Sequence, residues 1–167
     1  MLTITTQQVY EWLSSVTDPE VPVLTILDLG IVRDVQVGEG ADGGPEVTVA
    51  ITPTYSGCPA MDVIAVNIRM ALLSRGIRHI NIENRLHPAW TTDWMTEEGK
   101  QKLQAYGIAP PQRKAADTLA LFADDKVPCP RCGSTDTELV SQFGATSCKA
   151  LYRCLSCHEP FEHFKCH

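Results

Sequence analysis

Thr52-Pro53-Thr54-Tyr55-Ser56-Gly57-Cys58-Pro59-Ala60-Met61 joins two runs of different period, and this junction decides how the first part of the chain folds. Before it, Val47, Val49 and Ile51 recur at period two, as in a strand with one buried face. After it, Met61, Ile64, Ala65, Ile68, Ala71 and Leu72 recur at helical spacing. Pro59 suits the first helical position, where its missing N–H costs no hydrogen bond. Cys58 then lies at or beside the N-cap. Unpaired backbone N–H groups and the positive end of the helix dipole favour a thiolate there. The plainer alternative is a small buried residue at a tight turn, since free cysteine is commonly buried.

Toward the N-terminus, Thr5 and Gln8 have the spacing of a capping box, and Val9, Trp12, Leu13 and Val16 line one helical face. The helix ends before Asp18-Pro19-Glu20-Val21-Pro22, because proline disfavours helix in the residue ahead of it. Two prolines and two carboxylates make a fixed acidic turn, whose plainest role is capping and turn chemistry. Asp28-Leu29-Gly30 leads into a strand with Ile31, Val35 and Val37 facing inward. The four glycines between Gly38 and Pro45 form a hairpin loop to Val47–Ile51. Beyond the junction the helix stops near Gly76, with Arg69 and Arg75 toward its negative end. Ile80 and Ile82 then mark a returning strand. The order helix, strand, strand, helix, strand predicts an α+β fold with helices on one face of a three-stranded sheet. Its other face needs cover or a dimer partner, so a homodimer is one expectation.

Trp90-Thr91-Thr92-Asp93-Trp94-Met95 is a loop with two tryptophans, which either pack back over the sheet or present a partner contact. Thr96 caps a short helix carrying Leu103 and Tyr106 and stopped by Gly107. Pro110-Pro111 opens a linker that is stiff and then alanine-rich, and marks the expected domain boundary. We therefore expect a first domain over residues 1–109, a linker over 110–126 and a C-terminal all-β module over 127–167.

In that module Cys129-Pro130-Arg131-Cys132 and Cys154-Leu155-Ser156-Cys157 are two Cys-x-x-Cys knuckles. Two such pairs supply the four thiolates of a closed tetrahedral zinc site. Leu139, Val140 and Phe143 and Ala150, Leu151 and Tyr152 form a hairpin between them, with Phe161 and Phe164 on a third strand. So short a module has too small a core to fold alone, and bound metal supplies its folding free energy. Tetrahedral sulfur also suits iron. A redox dithiol is disfavoured, because two matched pairs argue for joint coordination. Cys148 and Cys166 remain over. Pairing residue 154 with 160 across the hairpin would set 148 opposite 166, making them a second thiol pair, redox-sensitive or metal-binding, with His163 or His167 nearby. The alternative is two buried thiols.

The 167 residues, 44% hydrophobic, suffice for one sound core and a small appended module. A net charge of −6 disfavours nucleic acid, and in the ribbon Arg131, Lys149, Arg153 and Lys165 are balanced by Asp136, Glu138, Glu159 and Glu162. No apolar run reaches membrane-spanning length and no signal-peptide pattern opens the chain, so a cytoplasmic location without membrane contact is expected. Seven cysteines are many for a reducing compartment unless metal or chemistry explains them.

With these residues in hand, the chain resembles the D-subunit family of the bacterial phenylacetyl-CoA epoxidase system, the ring-1,2-epoxidase of aerobic phenylacetate breakdown. Its first part resembles the MIP18-type iron–sulfur assembly domain. The resemblance rests on Asp18-Pro19-Glu20-Val21-Pro22, Asp28-Leu29-Gly30-Ile31, the Thr52–Asp62 segment with Cys58-Pro59, Trp90–Met95, Gly107-Ile108-Ala109-Pro110-Pro111 and Cys148–Cys154. It implies an accessory maturation factor that helps to insert iron or an iron–sulfur cluster into an oxygenase component. It carries over Cys58 as the family's cysteine, with Asp18 and Glu20 near it, for a transient iron or cluster. The implied partners are the oxygenase and reductase components and general iron–sulfur assembly proteins. Two other functions compete: a structural adaptor using the zinc ribbon and Trp90/Trp94, and a thiol enzyme using Cys58. The last is disfavoured because no histidine is placed by sequence to pair with Cys58, His79 and His87 being the nearest candidates. No glycine-rich dinucleotide fingerprint or phosphate loop occurs either, so own catalysis is not expected.

Overall fold

A computed structural model describes residues 4–112 and 126–165, and the chain forms two compact units, Met1–Trp90 and Thr91–His167. The first unit runs α1 (Thr6–Leu13), β1 (Val32–Glu39), β2 (Pro45–Ile51), α2 (Ala60–Leu73) and β3 (His79–Asn84), the expected order. Thr5 caps α1: its hydroxyl accepts from Gln8 N at 3.2 Å while Gln8 Oε1 accepts from Thr5 N at 3.0 Å. α2 ends as expected, with Gly76 left-handed at φ 85°.

The three strands lie in the order β1-β2-β3, the first pair antiparallel and the second parallel, so α2 is the crossover of a β-α-β unit. Register aligns Val35 with Val49 and Val37 with Val47, then Val47 with Ile80 and Val49 with Ile82. These side chains share one face, and Val9 and Leu13 of α1 and Ile64, Ile68 and Leu72 of α2 are buried in the same unit. The opposite face carries Asp34, Gln36, Thr48, Asn81 and Glu83, with Arg85 beside it pairing to Asp34 and Glu83 at 3.5 Å. This corrects the expectation that the second face needs cover. Its alternate residues are polar save the buried Ala50, and water solvates the polar ones as it does the open side of many antiparallel sheets.

The second unit holds a 3-10 turn (Thr92–Trp94), α3 (Glu97–Tyr106), β4 (Ile108–Ala109), β5 (Thr137–Ser141), β6 (Lys149–Cys154) and β7 (Pro160–Phe164). Thr96 caps α3 and Gly107, at φ 92°, stops it. The strands form one sheet in the order β4-β7-β6-β5. Residues 91–109, expected with the first domain, thus belong to the second unit: β4 pairs parallel with β7, Ile108 opposite Glu162, which buries Ala109 with Val127 and Phe161. Of the expected linker, 113–125 lies outside the described residues.

The β6–β7 register also differs from expectation. Arg153 pairs with Pro160 and Lys149 with Phe164, one residue away from the pairing of 154 with 160. The knuckle sets this: Cys154 N donates to Glu159 O at 3.0 Å, with His158 turned left-handed at φ 63°. Cys148 therefore falls opposite Lys165, whose N–H donates to its carbonyl at 2.9 Å, and the ground for pairing it with Cys166 is gone. Cys166 and His167 lie outside the described residues.

Candidate functional site

Two places carry candidate chemistry, one in each unit. In the first, the chain leaves β2 at Thr52, whose buried N–H donates to Ile31 O at 2.9 Å. It turns through Tyr55–Cys58, where Gly57 takes φ 77° and Cys58 N donates to Tyr55 O at 3.3 Å. A residue with a Cβ is strained at that φ, so glycine sets the turn that presents the thiol. Pro59 is the N-cap rather than the first helical residue, and Cys58 immediately precedes it, half-buried. No side chain caps α2. Met61 N of the first turn donates to Cys58 O at 3.3 Å, so what the loop meets is the positive end of the helix dipole.

The acidic turn is built for its own backbone. Asp18, buried, accepts from Glu20 N at 2.7 Å and Val21 N at 2.8 Å through one carboxylate oxygen, the capping role that turn chemistry predicts. Glu20 is half-buried beside it. Sequence reasoning passed over Asp28, which is 6% exposed and reciprocally bonded with Thr25 at 2.9 and 3.0 Å. The Thr-x-x-Asp spacing was the available signal. These turns form one hydrogen-bonded body. Ile26 N donates to Val16 O and Asp18 N to Leu24 O, while Ile31 O holds the start of the Cys58 loop.

Trp90 belongs to this body. It is 5% exposed and its indole N–H donates to Leu29 O at 2.7 Å, so of the two alternatives, packing back or a partner contact, it packs back, a buried indole satisfying a turn carbonyl. Trp94 is in the other unit and half-buried. His79, considered as a base for Cys58, is bonded through Nε2 to Asp42 at 2.8 Å.

In the second unit the ligand atoms of Cys129, Cys132, Cys154 and Cys157 all lie within 4.8 Å of one another. Cys129 and Cys157 sulfurs are 3.8 Å apart, and those of Cys132 and Cys154 3.6 Å. A tetrahedron of sulfurs at zinc's usual bond length has edges of roughly 3.8 Å, so the donors fit zinc. Without a cation the thiols resist sharing charge. The Cys157 backbone N–H, 3.4 Å from Cys154 Sγ, lowers the Cys154 pKa from 9.0 to about 7 against the effect of burial. A Glu159 backbone contact lowers Cys157, but burial and bonds with Cys154, Cys132 and Cys129 outweigh it and raise its pKa to about 12. A divalent cation removes that conflict, and its binding releases protons. Cys129 N donates to Ser134 O at 2.9 Å and Leu155 N to Asp136 O at 2.8 Å, which pins the two knuckles.

Known proteins can now be set beside these sites. Residues 6–82 match the family profile described as iron-sulfur cluster assembly protein, and 113–165 that described as PaaD zinc beta ribbon domain. A protein of Escherichia coli K12, described as the D subunit of a "Putative 1,2-phenylacetyl-CoA epoxidase", is 49% identical over 99% of this chain and 98% of its own length. An Fe-S protein maturation auxiliary factor of Porphyromonas gingivalis is 39% identical over 59% of this chain and 90% of its own. Among solved structures, a DUF59 domain from Bacillus anthracis superposes with a TM-score of 0.52 at 26% identity, covering 58% of this chain and 89% of that one. The chain belongs to the D-subunit family of phenylacetyl-CoA epoxidase, an iron–sulfur assembly domain followed by a PaaD zinc ribbon.

Proposed function

We propose that this chain is a maturation factor of a phenylacetyl-CoA epoxidase system, delivering iron or an iron–sulfur cluster to an oxygenase or reductase component. The observation that carries this reading is the Cys58 loop, a half-buried thiol before an uncapped helix within the assembly-protein match. In this role the Cys58 thiolate donates a lone pair to cargo iron, and the positive end of the α2 dipole stabilises the negative charge of a thiolate or sulfide. Asp18 and Glu20 shape the neighbouring acidic turn. The four ribbon cysteines hold zinc and take no part in transfer. The chain performs no turnover of its own in this reading. Co-expressing the epoxidase components with and without this protein, and measuring iron and sulfide in each, tests it. Fully loaded partners in its absence would overturn it.

A structural adaptor is the second reading. It is favoured by Leu139, Val140 and Phe143, which stand exposed on and beside the edge strand β5 of the ribbon. An adaptor leaves partner metal content unchanged when deleted and reduces co-purification of the components.

A further inference from the structure

The four ribbon sulfurs are unequally screened from solvent. Cys129 and Cys154 are 1% and 0% exposed and belong to the module's small core with Ala109, Val127 and Phe161. Cys157 is half-buried against that core, whereas Cys132 stands exposed on the first knuckle. Each accessible sulfur faces a buried one on the opposite knuckle. Cys132 lies 3.6 Å from Cys154, and Cys157 lies 3.8 Å from Cys129. A disulfide needs about 2.0 Å, so closing either pair asks for a shift of only about 1.6–1.8 Å. Groups other than the metal also hold the knuckles together. The Ser134 and Ser156 hydroxyls bond to each other at 2.7 Å, and the Leu155 N–H donates to Asp136 O at 2.8 Å. These contacts keep the opposed sulfurs near one another when the cation leaves.

We propose that the ribbon is a peroxide-sensitive switch, in which the exposed Cys132 is oxidised first and then bonded to Cys154 across the knuckles, with loss of zinc. The Cys132 sulfur attacks one oxygen of hydrogen peroxide, the O–O bond breaks and hydroxide leaves, giving a sulfenic acid. The Cys154 sulfur then attacks the Cys132 sulfur, forming the S–S bond and expelling the second oxygen as hydroxide. Two thiolates thus lose two electrons to one peroxide, and two protons turn the hydroxides into water. Half of the ligand set is then spent. The Cys129 and Cys157 thiolates that remain hold a divalent cation too weakly to keep it, and a second peroxide closes that pair in the same way. Because the bonds join opposite knuckles, a thiol reductant returns four sulfurs already gathered, and zinc restores the ribbon. The switch stands on the ribbon alone and does not depend on the role proposed for Cys58.

Titrating the full zinc-loaded chain with hydrogen peroxide beside a chromogenic zinc chelator, with alkylation and peptide mass spectrometry at each step, tests this. The expected result is release of the ribbon's zinc together with a linked Cys132–Cys154 peptide, and recovery of zinc binding after dithiothreitol and added zinc. Cys132→His keeps a zinc ligand but removes the exposed thiol, and should hold zinc against peroxide about tenfold longer than the unchanged chain. Cys157→His should release it at nearly the unchanged rate. Should either variant fail to fold around zinc, the order of oxidation in the unchanged chain decides, since Cys132 should lose its reactivity toward alkylation before Cys129, Cys154 or Cys157. Zinc retained at a peroxide dose that fully oxidises Cys58 would overturn the proposal. So would links within a knuckle (129 to 132 or 154 to 157), oxidation that starts at Cys157, or a Cys132→His variant that loses zinc as fast as the unchanged chain.

Discussion

At the residue scale, Cys58 and Trp90 show how differently two prominent side chains are used. Cys58 is half-buried on a turn set by Gly57, and its volume fills no core. Cys58→Ser should therefore change stability by less than about 1 kcal/mol while abolishing metal loading of co-expressed epoxidase components. Thermal melts beside iron analysis of the partners check both halves. A stable mutant that still loads its partners would remove Cys58 from the mechanism. Trp90 is the reverse case. Trp90→Phe keeps an aromatic ring but leaves Leu29 O without its indole donor, and should cost the first unit about 1–2 kcal/mol in denaturant titration.

At the scale of elements, the ribbon is held by its metal and by one largely buried ion pair. Replacing any of Cys129, Cys132, Cys154 or Cys157 by serine should abolish stoichiometric zinc and unfold β5–β7, leaving the first unit intact. Zinc analysis with far-UV circular dichroism reads this. The ion pair joins Lys149, 4% exposed, to Glu162 at 2.8 Å, and Glu162 also accepts from Ala145 N at 2.8 Å. Burial alone would raise the Glu162 pKa, but Lys149 and the Ala145 N–H outweigh it and hold it below 4.5. A lowered folded-state pKa means this stabilisation is complete above pH 4.5 and fades as pH falls through the folded value. Glu162→Gln should cost about 1 kcal/mol near neutral pH, less than a fully buried pair because solvent still screens the carboxylate. It should also flatten that acid limb, as measured by melts across pH.

At the scale of the whole molecule, the division after Trp90 makes its own prediction. A fragment over 91–167 should fold around zinc and melt higher than one over 127–167, because β4 adds a parallel strand and Ala109 to the ribbon core. Calorimetry of the two zinc-loaded fragments decides it; equal melting temperatures would restore the boundary near Pro110.

What the amino-acid sequence determined by itself was local. Helix caps at Thr5 and Thr96, stops at Gly76 and Gly107, and the periods on either side of Cys58 depend on residues a few positions apart. The two knuckles read equally well, because metal geometry demands thiols at short fixed spacing. The long-range pairings were decided only by tertiary structure. Trp90 finds the Leu29 carbonyl 61 positions away, and β4 joins β7 across more than fifty residues. Nothing in the local pattern distinguishes such partners from others of like polarity. The β6–β7 register turned on the left-handed His158, and one residue's difference there moved Cys148 opposite Lys165. Whether the far side of the first sheet needed cover also depended on register, which gathered Asp34, Gln36, Asn81 and Glu83 onto one solvated face while the apolar residues met α1 and α2 on the other.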